Sequence, residues 1–179
     1  IRDRVGASYL FDSGFAPYAL YSTSFMPTLT TNATPLKPTT GTLKEIGLKY
    51  APLDKDYSVT LSAFEATQQN VVNRVSGIIY QTDEVQVRGI ELEGVAALSK
   101  RLNVTAALSV QDPEVTKSVT PAQIGKLPYT VPKTQQSLFA SYKVPLSQNM
   151  GGELTVGGGA RRIGKTAGDT ANTFFVPSY

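Results

Sequence analysis

The chain has 179 residues, a length that suits one domain or a piece of a larger one. It contains no Cys and no His, which excludes disulfides, thiolate nucleophiles, the usual zinc sites and a Ser–His dyad within the chain. Its net charge of +3 comes from Lys and Arg scattered along the sequence rather than clustered, so we expect no nucleic-acid partner.

Alternation of apolar and polar residues with a period of two recurs through the chain and predicts an all-β fold. Two early stretches show it, at residues 45–50 and 58–63. Their apolar positions are Ile46, Leu48, Tyr50, Val59, Leu61 and Ala63, and their polar positions are Glu45, Lys49, Ser58, Thr60 and Ser62. Each stretch is expected to be a strand with one apolar and one polar face.

The alternation changes phase within residues 84–98. Before the change the apolar residues are Val85 and Val87, and after it they are Ile90, Leu92, Ala96 and Leu98. Gly89 lies at the change. A β-bulge turns the side chains that follow it to the other face, so the sequence predicts a bulge at Gly89.

Residues 102–111 show the clearest alternation. One face would carry Leu102, Val104, Ala106, Leu108 and Val110, and the other would carry Asn103, Thr105, Ala107, Ser109 and Gln111. A similar pattern returns at residues 138–144. In total the sequence predicts about nine strands.

The connections between these strands alternate in length. Short ones are expected at residues 12–14, 52–56, 99–101 and 145–151, and long ones at 25–42, 70–82, 112–133 and 163–173. Because consecutive antiparallel strands reverse direction, the four long connections should all emerge at one edge of the sheet. Short turns at one end and long loops at the other are typical of outer-membrane β-barrels, although soluble sandwiches also have uneven loops.

Glu91 and Glu93 form a candidate acid–base pair, because residues two apart on a strand point to the same face about 7 Å apart. The favoured interpretation is a pair of polar wall residues in contact with water or another domain. Residues 157–159 are three glycines followed by Arg161 and Arg162 one residue later, which suggests a phosphate-binding loop. Nothing helical follows them, so a glycine-rich strand is favoured.

Five segments resemble the TonB-dependent ferric-siderophore receptors, in particular the branch that resembles ferrichrome receptors. They are YALYSTSFMP at 18–27, LKPTTGTLKEIGLKY at 36–50, TQQNV at 67–71, VRGIELE at 87–93 and KLPYTVP at 126–132. The segment at 87–93 is the most specific of them. All five occur in family order at spacing similar to that of the family.

The resemblance implies that residues 1–179 are an antiparallel segment of a transmembrane barrel of about 22 strands, contributing about strands twelve to twenty. The plug domain, the TonB box and the last strands are expected to lie outside this segment. The chain begins at Ile1 without an initiator Met and ends in a stretch that reads like the opening of a strand, so both ends are expected to be cut.

Three aromatic residues at or near the predicted long connections are candidate ligand contacts, namely Tyr80, Tyr129 and Phe174. Aromatic residues at this level also form the interfacial girdle of a membrane barrel, which is the favoured assignment. The family's better-known ligand contacts lie mainly in the plug and in earlier strands, so none is transferred to this chain.

The resemblance implies uptake of a ferric siderophore of the hydroxamate type across the outer membrane of a Gram-negative bacterium. The expected partners are the siderophore, outer-membrane lipid and the TonB complex, which would act through the missing N-terminal part. No catalytic residues, cofactor or protein metal ligands are expected, because the iron arrives already chelated. The alternatives are a soluble all-β binding or adhesion domain and, third, a glycoside hydrolase built on Glu91 and Glu93.

Overall fold

The fold is that of a computed structural model, which describes residues 2–27, 36–75, 78–146 and 151–179, with only the backbone for 73–75, 78–80 and 82–83. Within these residues ten strands occur, and eight of them form one antiparallel sheet in chain order. The eight are β1 Arg4–Ser8, β2 Phe15–Met26, β3 Thr39–Tyr50, β4 Tyr57–Val75, β5 Ile78–Ala97, β6 Leu102–Lys117, β7 Thr134–Val144 and β8 Leu154–Ile163. The all-β antiparallel prediction is confirmed.

The register of the sheet gives it one apolar face and one polar face over most of its height. Ala106 of β6 pairs with Gly94 of β5 and Leu138 of β7, while its neighbour Ala107 pairs with Glu93 and Ser137. Paired residues share a face and successive residues alternate, so the two predicted faces of residues 102–111 are confirmed. We call these surfaces the apolar face and the polar face.

The two edges of the sheet at the strand ends differ in their connections. At one edge, the turn edge, short connections join β1 to β2, β3 to β4 and β5 to β6. At the other, the loop edge, residues 27–38 and 118–133 join strands, and the chain leaves β8 there as well. The predicted placement at one edge is confirmed for the long connections at 25–42, 112–133 and 163–173, although most of the first of them, 28–35, lies outside the described residues.

The predicted long loop at residues 70–82 is wrong. β4 and β5 continue through this region as a paired hairpin, with Val71 opposite Thr82 and Val75 opposite Ile78. The 19 residues of β4 extend about 60 Å at ~3.3 Å per residue, so the hairpin projects well beyond the neighbouring strands. The sequence of this region lacks the clear alternation of apolar and polar residues by which a strand is recognised.

The predicted bulge at Gly89 is also wrong. Gly89 pairs in unbroken register with Phe64 and Gln111, and the irregularity lies instead between Glu84 and Val85. A Cβ at Gly89 would lie 2.8 Å from the Phe64 ring, so the glycine makes room for that ring. The apolar side chains change phase because the apolar surface moves from one face of the sheet to the other near the loop edge.

The residues beyond the loop edge fold back over the polar face. We call residues 118–133 and 164–176 the cap; it contains a 3₁₀ turn at Pro121–Gln123 and a small hairpin of β9 Thr166–Ala167 and β10 Phe175–Val176. Buried side chains collect beneath and within it, at Val85, Pro113, Val115, Thr166 and Ala167. None of the helical segments described is long and apolar enough to cross a membrane.

Candidate functional site

The polar face carries a row of hydrogen-bonded side chains across neighbouring strands. The Tyr18 hydroxyl donates to Glu45 Oε1 at 2.6 Å, and the Ser109 hydroxyl donates to Glu91 Oε1 at 3.1 Å. An open cavity of about 350 Å³ lies on this face between β5 and β8 and is lined by Glu91, Glu93, Ser109, Gln135 and Arg161, among others. This surface is open to solvent and carries both carboxylate acceptors and a guanidinium donor.

Glu91 and Glu93 lie on one face, as the sequence predicts, because their partners Ser109 and Ala107 are two residues apart on β6. The surroundings of the pair are an open wall rather than a closed cleft. Glu91 accepts a hydrogen bond from Ser109, and the cation in the cavity lining, Arg161, donates to Gln135 Oε1 at 3.1 Å. The pair therefore has the character of a docking surface for a polar partner.

The glycines at 157–159 lie within β8 and pair with residues 139–141 of β7, so the glycine-rich strand is confirmed and no phosphate loop forms there. The two arginines that follow lie on opposite faces, because Arg161 pairs with Ser137 and Arg162 with Gln136. They cannot converge on one phosphate.

A row of charged residues borders the apolar surface on the side of the loop edge. We call this row the charged rim; its residues lie side by side on β3 to β6 and are Lys44, Glu65, Arg88 and Asp112. Glu65 accepts from Lys44 Nζ at 3.3 Å and from Arg88 Nε at 2.8 Å, and Asp112 accepts from Lys133 at 2.6 Å. Exposed ion pairs add little stability. The rim matters because it marks where the apolar surface ends.

Between the charged rim and the turn edge, the apolar face forms a continuous band that we call the apolar band. Leu61 is 50% exposed, Ile90 57% and Ile46 64%, and none of the described residues covers them with a second sheet. Residues 102–110 of β6 cross the band and extend about 26 Å at ~3.3 Å per residue, which gives a height of roughly 20 Å at a strand tilt of about 35–45°. This height is comparable with the apolar band of a membrane barrel, which is about 25 Å tall.

Aromatic residues line the turn-edge boundary of the apolar band. The rings of Phe15 and Tyr50 stack at 4.3 Å between centroids, and the ring of Tyr57 meets Tyr50 edge-on at 6.0 Å. Phe15 pairs with Tyr50 in register, which puts them on the apolar face. Aromatic rings at the border of an apolar band are typical of a membrane–water interface.

The three aromatic candidates have different positions. Tyr129, 41% exposed, lies in the cap and lines a small cavity with Val85 and Val115, which places it on the side of the polar face. Phe174 is exposed in the cap and its ring lies against Gly168. The side chain of Tyr80 lies outside the described residues; its backbone belongs to β5 and pairs with Asn73.

One side-chain amide ties the two halves of the cap together. Asn172 Oδ1 accepts from the Leu127 N–H at 2.9 Å, and Asn172 Nδ2 donates to the Leu127 carbonyl at 3.0 Å. We call this pair of bonds the Asn172–Leu127 clasp. Gln81 makes the same type of contact with Lys37, with bonds of 3.1 Å and 2.7 Å, and so ties the first loop to the β4–β5 hairpin.

A turn in the cap holds Asn172 in position. The Asp169 carboxylate accepts hydrogen bonds from the Thr173 N–H at 2.8 Å and from the Thr173 hydroxyl, and the Asp169 carbonyl accepts from the Asn172 N–H at 3.3 Å. The bond from the Thr173 hydroxyl holds the pKa of the Asp169 carboxyl below its usual value. The turn is therefore most stable with this carboxylate ionised.

The comparison with known families decides what kind of sheet this is. A family profile described as TonB dependent receptor-like, beta-barrel matches residues 4–179. The chain belongs to this family. The eight-stranded sheet is therefore part of the wall of a receptor β-barrel and not half of a soluble sandwich.

Two relatives of this receptor segment are named for ferrichrome and for ferrioxamine B. The ferrichrome outer membrane transporter/phage receptor of Escherichia coli K12 is 37% identical over 98% of this chain and 24% of its own length. The ferrioxamine B receptor of Salmonella typhimurium is 32% identical over 100% of the chain and 26% of its own. The chain spans about a quarter of the length of these relatives.

A solved receptor structure shares the fold of this segment. The siderophore receptor PiuA from Acinetobacter baumannii superposes with a TM-score of 0.77 at 28% identity, over 98% of this chain and 28% of that one. The apolar band, the charged rim and the aromatic boundary are thus features of a receptor wall.

The clasp of this receptor segment was missed from the sequence. Asn172 and Leu127 are 45 residues apart, and nothing in either local sequence indicates that they meet. The sole local signal is Asp169 followed by Asn172 and Thr173, a composition that favours a tight turn. Within the described residues no group of three or more acidic side chains gathers as a metal site.

Proposed function

We propose that this chain is part of the barrel of an outer-membrane receptor that takes up ferric siderophores. The observation that carries the proposal is the apolar band of a TonB-dependent receptor sheet, bounded by charged residues towards the loop edge and by aromatic rings towards the turn edge. In this arrangement the apolar face meets lipid, the polar face lines the interior, and the loop edge is extracellular.

The proposed cargo is an iron chelate of the hydroxamate type. The relatives with the highest identities reported above are named for ferrichrome and ferrioxamine B. A chelated ferric ion needs no protein ligands, which agrees with a chain that has neither His nor Cys. Iron is therefore the substrate of this protein and not its resident cofactor.

The activity we propose is binding and gated transport, without a chemical reaction. A plug and a TonB-contacting segment, supplied by parts of the receptor beyond these residues, would occupy the interior and transmit energy from the TonB complex. The wall offers the plug Glu45, Glu91, Glu93 and Arg161 on its polar face. These side chains can pair with cationic and acidic groups of a plug at little cost, because the interior is hydrated.

Tyr129 is the proposed ligand contact of this segment, and Phe174 is a second one. Tyr129 lies on the polar-face side of the loop edge, where a ligand entering from outside would first meet the interior. Its ring is rigid and amphipathic, which suits contact with a chelate that has an apolar backbone and polar oxygens. Tyr80 belongs to the projecting hairpin and is the third candidate.

Uptake of radioactive iron tests the proposal. The full-length gene that contains this segment is expressed in iron-starved Gram-negative cells that lack their own hydroxamate receptors. We expect ⁵⁵Fe-ferrichrome or ⁵⁵Fe-ferrioxamine B to accumulate, and accumulation to stop when TonB is deleted. A correctly inserted receptor that neither binds nor imports either chelate would contradict the proposal.

A further inference from the structure

The segments at the loop edge form an unusual core. Along most of its height the sheet is uncovered on both faces in the described structure, but beneath the cap Val85, Val115 and Ala167 are at most 8% exposed. Val115 also exchanges backbone hydrogen bonds with the cap, accepting from Gly125 and donating to Lys126, both at 2.9 Å. The cap is thus packed against the wall as a folded unit.

The two halves of the cap meet at a strained junction. Thr130 has a φ of 62°, which is an outlier for a β-branched residue, and Asn172 has a φ of 58°. Thr130 N–H donates to the Ala167 carbonyl at 3.2 Å, and Tyr129 forms a parallel bridge to Ala167. Such conformations persist only where the surroundings over-determine them, and they concentrate at functional sites.

We propose that Asn172 is a positioning residue that locks residues 118–133 and 164–176 into one rigid cap. In doing so it fixes Tyr129 on the polar-face side of the loop edge. Leu127, which Asn172 holds by both of its backbone polar groups, is two residues from Tyr129. Ala167, which bridges Tyr129, is five residues from Asn172 on the other half of the cap. Tyr129 is therefore fixed from both sides, and Asn172 supplies the side-chain bonds that cross between the halves.

Hydrogen exchange on the full-length receptor tests the lock without any ligand. The variant is Asn172→Gly, because glycine keeps the positive φ without strain. It removes the two bonds to Leu127 and a third, from Asn172 Nδ2 to the Asp169 carbonyl at 3.3 Å within the same half of the cap. We expect amide exchange across 118–131 to accelerate roughly 10- to 30-fold, since two neutral hydrogen bonds are lost. Exchange within residues 102–110, in the apolar band, should not change.

The matched control is Gln81→Ala. It removes the same type of side-chain amide contact, here the one between the β4–β5 hairpin and Lys37 of the first loop. It should accelerate exchange near residues 36–38 and leave 118–131 as in the parent receptor. If Asn172→Gly changes exchange only within 164–176, the two halves are not locked and the inference is overturned.

The positioning role rests on the proposed function and needs a second measurement. At equal amounts of surface receptor, Asn172→Gly should raise the Kd for ferric ferrichrome or ferrioxamine B several-fold and leave the maximal uptake rate unchanged, with Tyr129→Ala having a similar effect. Accelerated exchange with unchanged Kd would overturn the positioning role. If the parent receptor binds neither chelate, the proposed function fails, while the exchange result still decides whether the lock exists.

Discussion

Gly14, in the turn between β1 and β2, shows how one residue fixes the geometry of the turn edge. Its φ is +85°, and a Cβ there would lie 2.6 Å from Pro52 Cα and 2.8 Å from the Ala51 carbonyl oxygen. Its own carbonyl accepts from the Ala51 N–H at 2.9 Å. Both the conformation and the contact exclude a side chain, because the atoms in the way belong to backbone.

We therefore expect Gly14→Ala to destabilise the receptor by at least about 1–3 kcal/mol through backbone strain alone. The measurement is the urea midpoint of the purified receptor together with the fraction of folded receptor in membranes. Gly158→Ala is the matched control, since a Cβ at Gly158 would meet nothing within 4 Å. Equal midpoints for the two variants would contradict this explanation.

Asp169 gives the cap a dependence on pH. Because the bond from the Thr173 hydroxyl lowers the pKa of the folded carboxyl, its stabilisation is complete above about pH 5, where the unfolded carboxyl is almost fully ionised. It is lost as the pH falls through the lowered pKa. We expect exchange in 164–176, corrected for intrinsic rates, to accelerate at acidic pH, and Asp169→Asn to remove most of that dependence. An unchanged pH profile in Asp169→Asn would assign the effect to other groups.

The sequence predicts the position of a residue well when its contacts are close in the chain, and poorly when they are far apart in the chain. The shared face of Glu91 and Glu93 follows from strand periodicity alone, and the structure has it. The positions of Tyr129 and Asn172 depend on contacts with Val85 and Leu127, which are tens of residues away in the chain. Periodicity carries no information about such pairs.

Among the elements, the β4–β5 hairpin differs most from what its sequence indicates. Asn70, with a φ of 56°, and the polar residues around it resemble a loop. The ladder skips Asn70 but keeps the same register on both sides of it, with Gln69 opposite Glu84 and Val72 opposite Gln81. Strands are recognised by alternation only where one face is apolar, and this hairpin stands beyond the apolar band. The ladder is held by backbone hydrogen bonds, so it requires no particular pattern of apolar and polar side chains.

Shortening this hairpin should separate transport from assembly. We expect replacement of residues 73–80 by Asn-Gly, which closes a two-residue turn between Val72 and Gln81, to leave insertion intact and weaken siderophore uptake. Retaining Gln81 preserves its bonds to Lys37. The measurements are folded receptor per cell and initial uptake rate. Undiminished uptake at normal receptor levels would show that the hairpin does not guide the ligand.

The whole sheet makes its strongest prediction about its two faces. Leu61 belongs to the apolar band, whereas Thr60, its neighbour at the same depth, pairs with Glu93 and Lys49 on the polar face. Leu61→Arg should cost about 2–4 kcal/mol of stability in a bilayer, because the charge faces hydrocarbon. Thr60→Arg should cost far less, since it meets water and an acidic neighbour. Comparable folding free energies for the two variants would contradict the assignment of the faces.

At the scale of the molecule, alternation alone predicted an antiparallel sheet and placed its long connections at one edge. It could not separate a membrane wall from half of a sandwich, because both have one apolar face. The match to the receptor family makes that distinction. The cap could not be predicted for a related reason, since neither Ala167 within it nor Val115 of β6 beneath it belongs to a stretch with clear alternation.

Along β5 the apolar side chains lie on one face near the turn edge and on the other face beneath the cap. This change of face also fixes the depth of the strand in the bilayer. Sliding the strand by two residues would keep every side chain on its own face and preserve the pleat, so strand pairing alone does not forbid the shift. Such a slide towards the turn edge would, however, move Arg88 to the depth of Ile90 at the border of the apolar band, at a cost of up to about 1 kcal/mol, and draw Val85 out from under the cap. Both penalties oppose vertical displacement, so the strand has one preferred height in the bilayer. The wall can therefore keep its depth in the bilayer while force acts on the proposed plug inside it.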